Sequence, residues 1–200
     1  MQDRIRYRVT SAAASEPVTA TEAKLHASVS GADWDSFFTE KIESARIKVE
    51  QFANRSLVTR TYTGKMDCFP YESDDDLSIL LPFPPMASVT SIYYLNSAGV
   101  STLLPTTVYG VDTYSEPGRI YLKYNQVWPA TYVQADAITI VWVAGFGAAA
   151  AVPANFKTAI SQLVAHWYKF REAAISGTII ADVPDGWEAL VNADRIMVMA

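Results

Sequence analysis

The segment Val152–Glu172, reading VPANFKTAISQLVAHWYKFRE, limits most strongly what this chain can become. Phe156, Ile160, Leu163, Trp167 and Phe170 recur at steps of four, three, four and three, which places them on one face of an α-helix. Val164 widens that face, while Lys157, Gln162, Lys169 and Arg171 fall mostly elsewhere. Pro153 suits the first turn, where its missing N–H costs no bond. A stripe of such large side chains has to be covered. The cover is in Asp33–Asn54, where Trp34, Phe38, Ile42, Ala45, Val49 and Phe52 repeat at the same kind of spacing. Glu40, Lys41, Glu43, Arg46, Lys48 and Glu50 fill the opposite side. Each fully buried large side chain contributes roughly 1.5–3 kcal/mol, far more than a solvated Glu43–Arg46 pair. The expected core is therefore Phe38, Ile42, Val49 and Phe52 against Phe156, Ile160, Leu163 and Trp167.

Between these helices the period changes to that of strands. Leu57–Phe69 is rich in Thr, Tyr and Val; Ser78–Leu81 is short and stopped by Pro-Phe-Pro-Pro; Ala87–Leu95 is the most strand-like run. Asn96–Gly99 turns it back onto Ser101–Leu104 as a hairpin. Val108–Asp112, Arg119–Tyr124 and Ala137–Ala144 complete six or seven short strands. Thr19 and Glu22 form a capping box that opens a short helix through about His26. Ala173–Val183 reads as a loop, and Pro184 opens a last helix carrying Trp187, Leu190 and Val191. The expected fold is α+β: a small helical core with an inserted antiparallel β module. Its divisions are an N-terminal arm (1–17), helical core (18–55), β insertion (56–147), helical core resumed (148–182), and a C-terminal helix and tail (183–200).

Arg4, Arg6 and Arg8 alternate with Ile5, Tyr7 and Val9, a strand with one basic and one apolar face. It is either an edge strand of its own domain or an arm added to a neighbouring subunit's sheet. At the other end Ile196, Met197, Val198 and Met199 follow Arg195 with no further charge, an apolar segment unlike an ordinary loose terminus.

Composition narrows the function classes. Net charge is −5, which argues against a protein that grips nucleic acid over a broad basic surface. One cysteine, Cys68, allows no internal disulfide and fits a reducing compartment. Two histidines and one cysteine do not make a structural zinc site. Ala137–Phe156 is charge-free, but Gly145, Gly147 and Pro153 interrupt it, so strand, loop and helix start explain it better than a membrane span. Gly145-x-Gly147-x-x-Ala150 has a loose dinucleotide-loop spacing, but Pro153 starts the helix too late to meet a pyrophosphate. Asp74–Asp76 are consecutive and point in different directions, a solvated turn rather than a calcium loop. Neither His26 nor His166 stands beside a nucleophile motif, so no catalytic set, cofactor or metal is expected.

The order of segments resembles the head–tail connector (adaptor) proteins of long-tailed bacteriophages and related gene-transfer particles. The stretches that carry it are EAKLH at 22–26, IESARIKVEQFANRSLVTRTY at 42–62, ILLPFPPMASVTSIYYLNSAG at 79–99 and VYGVD at 108–112. They continue with RIYL at 119–122, ITIVWVAGFG at 138–147, the helix at 152–172 and VPDGWEALV at 183–191. The chain departs from the pattern at Ala27-Ser28, where a larger apolar residue is expected. The resemblance implies a virion neck protein made in the host bacterial cytoplasm. It implies a ring, typically dodecameric, under the portal, which extends the DNA channel and docks the next head-completion protein. DNA passes through without sequence-specific binding. In this reading Trp187, Leu190, Val191, Ile196, Met197, Val198 and Met199 meet the portal, and Arg4, Ile5, Arg6, Tyr7 and Arg8 join neighbouring subunits. Other readings are a stopper or tail-end protein of the same assembly, a carbohydrate-binding module using Trp128 and Trp142, and a glycosidase with two carboxylates.

Overall fold

A computed structural model describes residues 5–70, 77–170 and 186–197. The chain divides into two compact units: Met1–Ala13 with Thr59–Gly145, and Ala14–Val58 with Phe146–Ala200. It passes between them at 13/14, 58/59 and 145/146. The architecture is α+β, with four helices and two antiparallel sheets among the described residues.

The helical unit contains α1 (Ala20–His26), α2 (Asp35–Ala53), α3 (Ala154–Lys169) and α4 (Gly186–Asn192). Thr19 caps α1 as its spacing predicts: its hydroxyl accepts from the Glu22 N–H, and the Glu22 carboxylate accepts from the Thr19 N–H at 2.7 Å. The Thr19 N–H first, and then the Thr19 hydroxyl donating to the carboxylate at 2.8 Å, hold the Glu22 carboxyl below its usual range. After α1, Ser28 adopts a left-handed conformation at φ 56°, at the position where a larger apolar residue was expected. Asn54 ends α2 in the same region at φ 53°, ψ 39°. Pro153 stands at the N-cap of α3, one position before the first helical residue.

The face read from sequence is the buried one for Phe38, Ile42, Ala45 and Val49 on α2 and for Phe156, Ile160 and Leu163 on α3. Four residues depart from it; of these, Trp34 is half-buried and Phe170 is 41% exposed. Phe52 is half-buried and packs on Trp187 of α4, with ring centroids 5.2 Å apart. Trp167 is half-buried as well, and it is Tyr168 that packs among Trp34, Phe37 and Phe38. The stripe rotates by one residue at the end of α3 because three aromatic residues at the start of α2 converge there.

Buried charge ties the helical unit together. Arg46, 3% exposed, donates to Glu16 through Nε at 2.7 Å and to Glu50 through Nη1 at 2.9 Å. Glu50 also accepts the N–H of Leu57 at 2.9 Å. Burial lowers the guanidinium's pKa, but the Glu16 hydrogen bond and the Glu50 charge outweigh it and leave it raised.

The β unit has a five-stranded sheet in the order β1 (Arg6–Val9), β2 (Arg60–Met66), β8 (Ile138–Ala144), β4 (Met86–Leu95), β5 (Ser101–Leu103). A three-stranded sheet follows the order β3 (Ile79–Leu80), β7 (Arg119–Leu122), β6 (Tyr109–Asp112). Central strand β8 shows strict alternation: Ile138, Ile140, Trp142 and Ala144 are buried, and Thr139, Val141 and Val143 are half-buried. Tyr62, Met66 and Ile92 from the first sheet and Ile79, Tyr109 and Ile120 from the second join those residues in one apolar cluster. Gly64 is required on β2: a Cβ there would lie 2.5 Å from Ile5 and 2.7 Å from Trp142. Among the described residues the insertion thus holds seven strands, and the N-terminal strand makes eight.

Candidate functional site

The residues that sequence assigns to assembly fall in both units. In the β unit, Arg6–Val9 pairs within its own chain as the edge strand of the larger sheet, antiparallel to β2, with Arg6 opposite Lys65 and Val9 opposite Tyr62. Thr10 N–H donates to Thr61 at 2.9 Å. Alternation then turns the peptide groups of Arg6 and Arg8 toward β2 and those of Tyr7 and Val9 toward the open edge. Ile5 packs against the apolar cluster, and Tyr7 meets Phe83 edge-on at 4.7 Å while remaining 46% exposed. Arg4 lies outside the described residues.

An ion-pair cluster holds this strand. Arg6 donates to Asp67 and, at 3.0 Å, to Asp136; Lys65 reaches Asp136 at 3.3 Å, and the Asp136 N–H donates to Asp67 at 2.8 Å. The Asp67 bond first, then Asp136, raises the Arg6 pKa. Arg6 in turn holds both carboxyls below their usual range, helped by the Asp136 N–H at Asp67 and by Lys65 at Asp136. Arg8 is exposed on the same face.

In the helical unit the C-terminal segment folds back on its own core. Trp187 and Val191 are 3% and 0% exposed, and Leu190 is half-buried. Beyond α4, Ile196 N–H donates to the Ala53 carbonyl at 2.9 Å, and the Asn54 side-chain amide donates to the Ile196 carbonyl at 2.8 Å. Arg55 donates to the Asp194 carbonyl, and the Arg195 guanidinium lies 4.6 Å from the Phe52 ring centre. The last turn of α2 has carbonyls to satisfy, and this segment satisfies one of them. Trp187 and Val191, expected at a portal contact, are thus committed to the chain's own interior. Met197 is 79% exposed; Val198 and Met199 lie outside the described residues.

The residues weighed for chemistry do not converge. His26 is exposed, and His166 is half-buried with its ring 4.9 Å from that of Phe170. Asp74–Asp76 lie outside the described residues. Among the described residues no three His, Cys, Asp or Glu side chains come together as a metal-binding group, and no helix is long and apolar enough to cross a membrane. Gly145 and Phe146 give their N–H groups to the Pro85 and Leu57 carbonyls, so this loop does not offer them to a phosphate. Trp142 is fully buried, and Trp128 stacks on Phe69 at 4.7 Å with its Nε1 donating to Leu77, which removes both as an open sugar platform.

Open grooves lie on both units among the described residues. One of about 510 Å³, in the helical unit, is lined by Phe37, Lys41, Ser44, Trp167 and Phe170. The other, about 640 Å³, lies in the β unit along the β7–β8 loop, with Phe69, Val127, Trp128 and Val133 in its wall. Sequence periodicity finds neither, because each depends on which faces are left uncovered after packing.

No protein-family model matches the sequence, and no curated protein matches it. Solved structures do. A chain from the neck of an empty gene transfer agent (GTA) particle, computed with C6 symmetry, is 20% identical with a TM-score of 0.78, covering 98% of this chain and 97% of that one. A chain from the virion of a native GTA particle is 19% identical with a TM-score of 0.75, at 97% coverage of both. A chain from the neck of a native GTA particle, computed with C12 symmetry, is 20% identical with a TM-score of 0.72, covering 98% and 97%. Over nearly its whole length, helical unit and β unit together, this chain has the fold of those GTA particle chains.

Proposed function

We propose that the chain is a structural head–tail connector of a phage-like particle. It sits in the virion neck, forms a homo-oligomeric ring under the portal, extends the DNA channel, and docks the next stopper or tail-terminator protein. The observation that carries this reading is the end-to-end likeness to chains from GTA necks computed with C6 and C12 symmetry, which favours a ring of twelve. The protein has no catalytic activity in this reading, and its net charge of −5 lets DNA run through the ring without being held. Met197 and the residues after it carry the portal contact, since Trp187 and Val191 are used internally. Met197, flexible and polarizable, suits a junction between two different proteins. The Arg6–Val9 strand offers its open edge at the boundary between copies.

The test is reconstitution. The purified protein mixed with the portal of its particle gives a complex with a twelve-fold ring on the portal's outer rim. A protein that stays monomeric with portal present, together with fully tailed particles when its gene is deleted, overturns the proposal.

A further inference from the structure

The residues beside all three crossings at 13/14, 58/59 and 145/146 are tied to one another within the helical unit. Glu16, just after the first crossing, accepts from Nε of Arg46 at 2.7 Å on one carboxylate oxygen and from Nη2 at 3.1 Å on the other. The remaining nitrogen of Arg46, Nη1, donates to one oxygen of Glu50 at 2.9 Å. The other oxygen of Glu50 accepts the N–H of Leu57, just before the second crossing, at 2.9 Å. The Leu57 carbonyl accepts the N–H of Phe146, the first residue after the third crossing, at 3.2 Å. Within the β unit the same three segments are neighbours again. The Ser11 hydroxyl accepts the Thr61 N–H at 2.8 Å, and Arg60 stands opposite Ala144 in the β2–β8 ladder.

Stability alone does not account for this chain of bonds. Arg46 and Glu50 are 3% and 6% exposed, and apolar side chains of the same volume hold a core as well as a buried ion pair does. What an apolar side chain cannot do is accept the Leu57 peptide N–H at one end and reach Glu16 at the other. The bonds in the chain are charge-assisted and shielded from water, so each strengthens the next and losing one weakens the rest.

We propose that Arg46 is the latch of a joint. The three links between the units are held at their helical ends by this one network, and they loosen together as one cooperative element while the cores on either side stay folded. A hinge needs only a few residues at the ends of elements to absorb the change in backbone angles, and Glu16, Leu57 and Phe146 stand at such places. Arg46 acts on the links through Glu16 and Glu50 and is a positioning residue. The inference concerns the single chain and does not depend on its forming a ring.

The experiment is native-state hydrogen exchange, read amide by amide, on the wild-type chain, Glu16→Ala, the milder Glu16→Gln, and Glu40→Gln as a control at the exposed pair with Lys41. In the network Glu16 is joined to Leu57 only through Arg46 and Glu50. Glu16→Ala should speed exchange of the Leu57 and Phe146 amides about tenfold and by the same factor, and Glu16→Gln by less. The amides of Ile160 and Leu163 in α3 and of Ile140 in β8 keep their wild-type rates, and Glu40→Gln changes none of them. Acceleration confined to the residues around Glu16 makes it a local tether and overturns the inference. Leu57 and Phe146 amides that are unchanged, or that change by different factors, show links that open separately and also overturn it. Acceleration that spreads to Ile160 and Leu163, or a Glu16→Gln chain that does not fold by circular dichroism, reduces the network to core support and overturns it as well.

Discussion

The indole of Trp34 meets the ring of Tyr168 edge-on, with 5.4 Å between centroids and 83° between planes. Phe37 and Phe38 close around the same tyrosine at 6.0 and 5.3 Å. This cluster, where α2 begins and α3 ends, fixes how the two long helices meet, and Trp167 stands beside it in the open groove.

Tyr168→Ala is accordingly expected to cost about 2–4 kcal/mol, and Trp167→Ala about 1–2 kcal/mol. Urea denaturation of both variants gives the ranking; a larger loss at Trp167 contradicts this packing.

Arg46→Met removes the buried guanidinium that donates to both Glu16 and Glu50. A loss of about 3–5 kcal/mol is expected, the usual cost of breaking a buried pair from one side. A double variant Arg46→Met/Glu50→Gln recovers part of that loss. Equal stability of the single and double variants counts against the Arg46–Glu50 bond as the source.

Acid should loosen the N-terminal strand before the rest. Asp67 and Asp136 have carboxyl pKa values held below their unfolded values by Arg6, so the unfolded form binds their protons first as pH falls. Their contribution is present above the unfolded value near pH 4 and is lost as pH falls below it through the folded values. These groups are exposed and screened, so the effect is local. Hydrogen exchange of the Arg8 and Thr10 amides should accelerate below about pH 4 before the amides of β8 do. Arg6→Ala should remove that difference.

Truncation separates the two roles of the C-terminal segment. Ending the chain after Asn192 removes the Ile196 and Asp194 backbone contacts and the Arg195–Phe52 contact, and should cost about 2–4 kcal/mol. Ending it after Ile196 keeps those contacts and should leave the melting temperature unchanged while abolishing portal binding. Full portal binding by the second truncation places the contact elsewhere.

The parts legible in the sequence are those whose signal is local. Thr19 with Glu22 announces α1, and the β-branched run Ile138–Val143 announces a strand. The apolar spacing of α2 and α3 names Phe38, Ile42, Phe156 and Ile160 as buried. What escaped depends on partners distant in sequence. The pairing of Arg6–Val9 with β2 turns on Gly64, which gives a periodicity search nothing to count. The return of Ile196 to Ala53 is a bond between two peptide groups, invisible to any side-chain pattern. The one-residue rotation from Trp167 to Tyr168 follows from the aromatic residues it meets, not from the helix that carries it.

The Phe146 N–H donates to the Leu57 carbonyl at 3.2 Å, across the whole of the β insertion. The chain therefore leaves the helical unit after Val58 and returns to it at Phe146 through residues that are hydrogen-bonded neighbours, while a further crossing at 13/14 joins the N-terminal strand. An excursion anchored this way adds loop-closure entropy only logarithmically with its length. Lengthening or trimming the turns within residues 59–145 should therefore cost little closure entropy and leave the packing inside the helical unit unchanged.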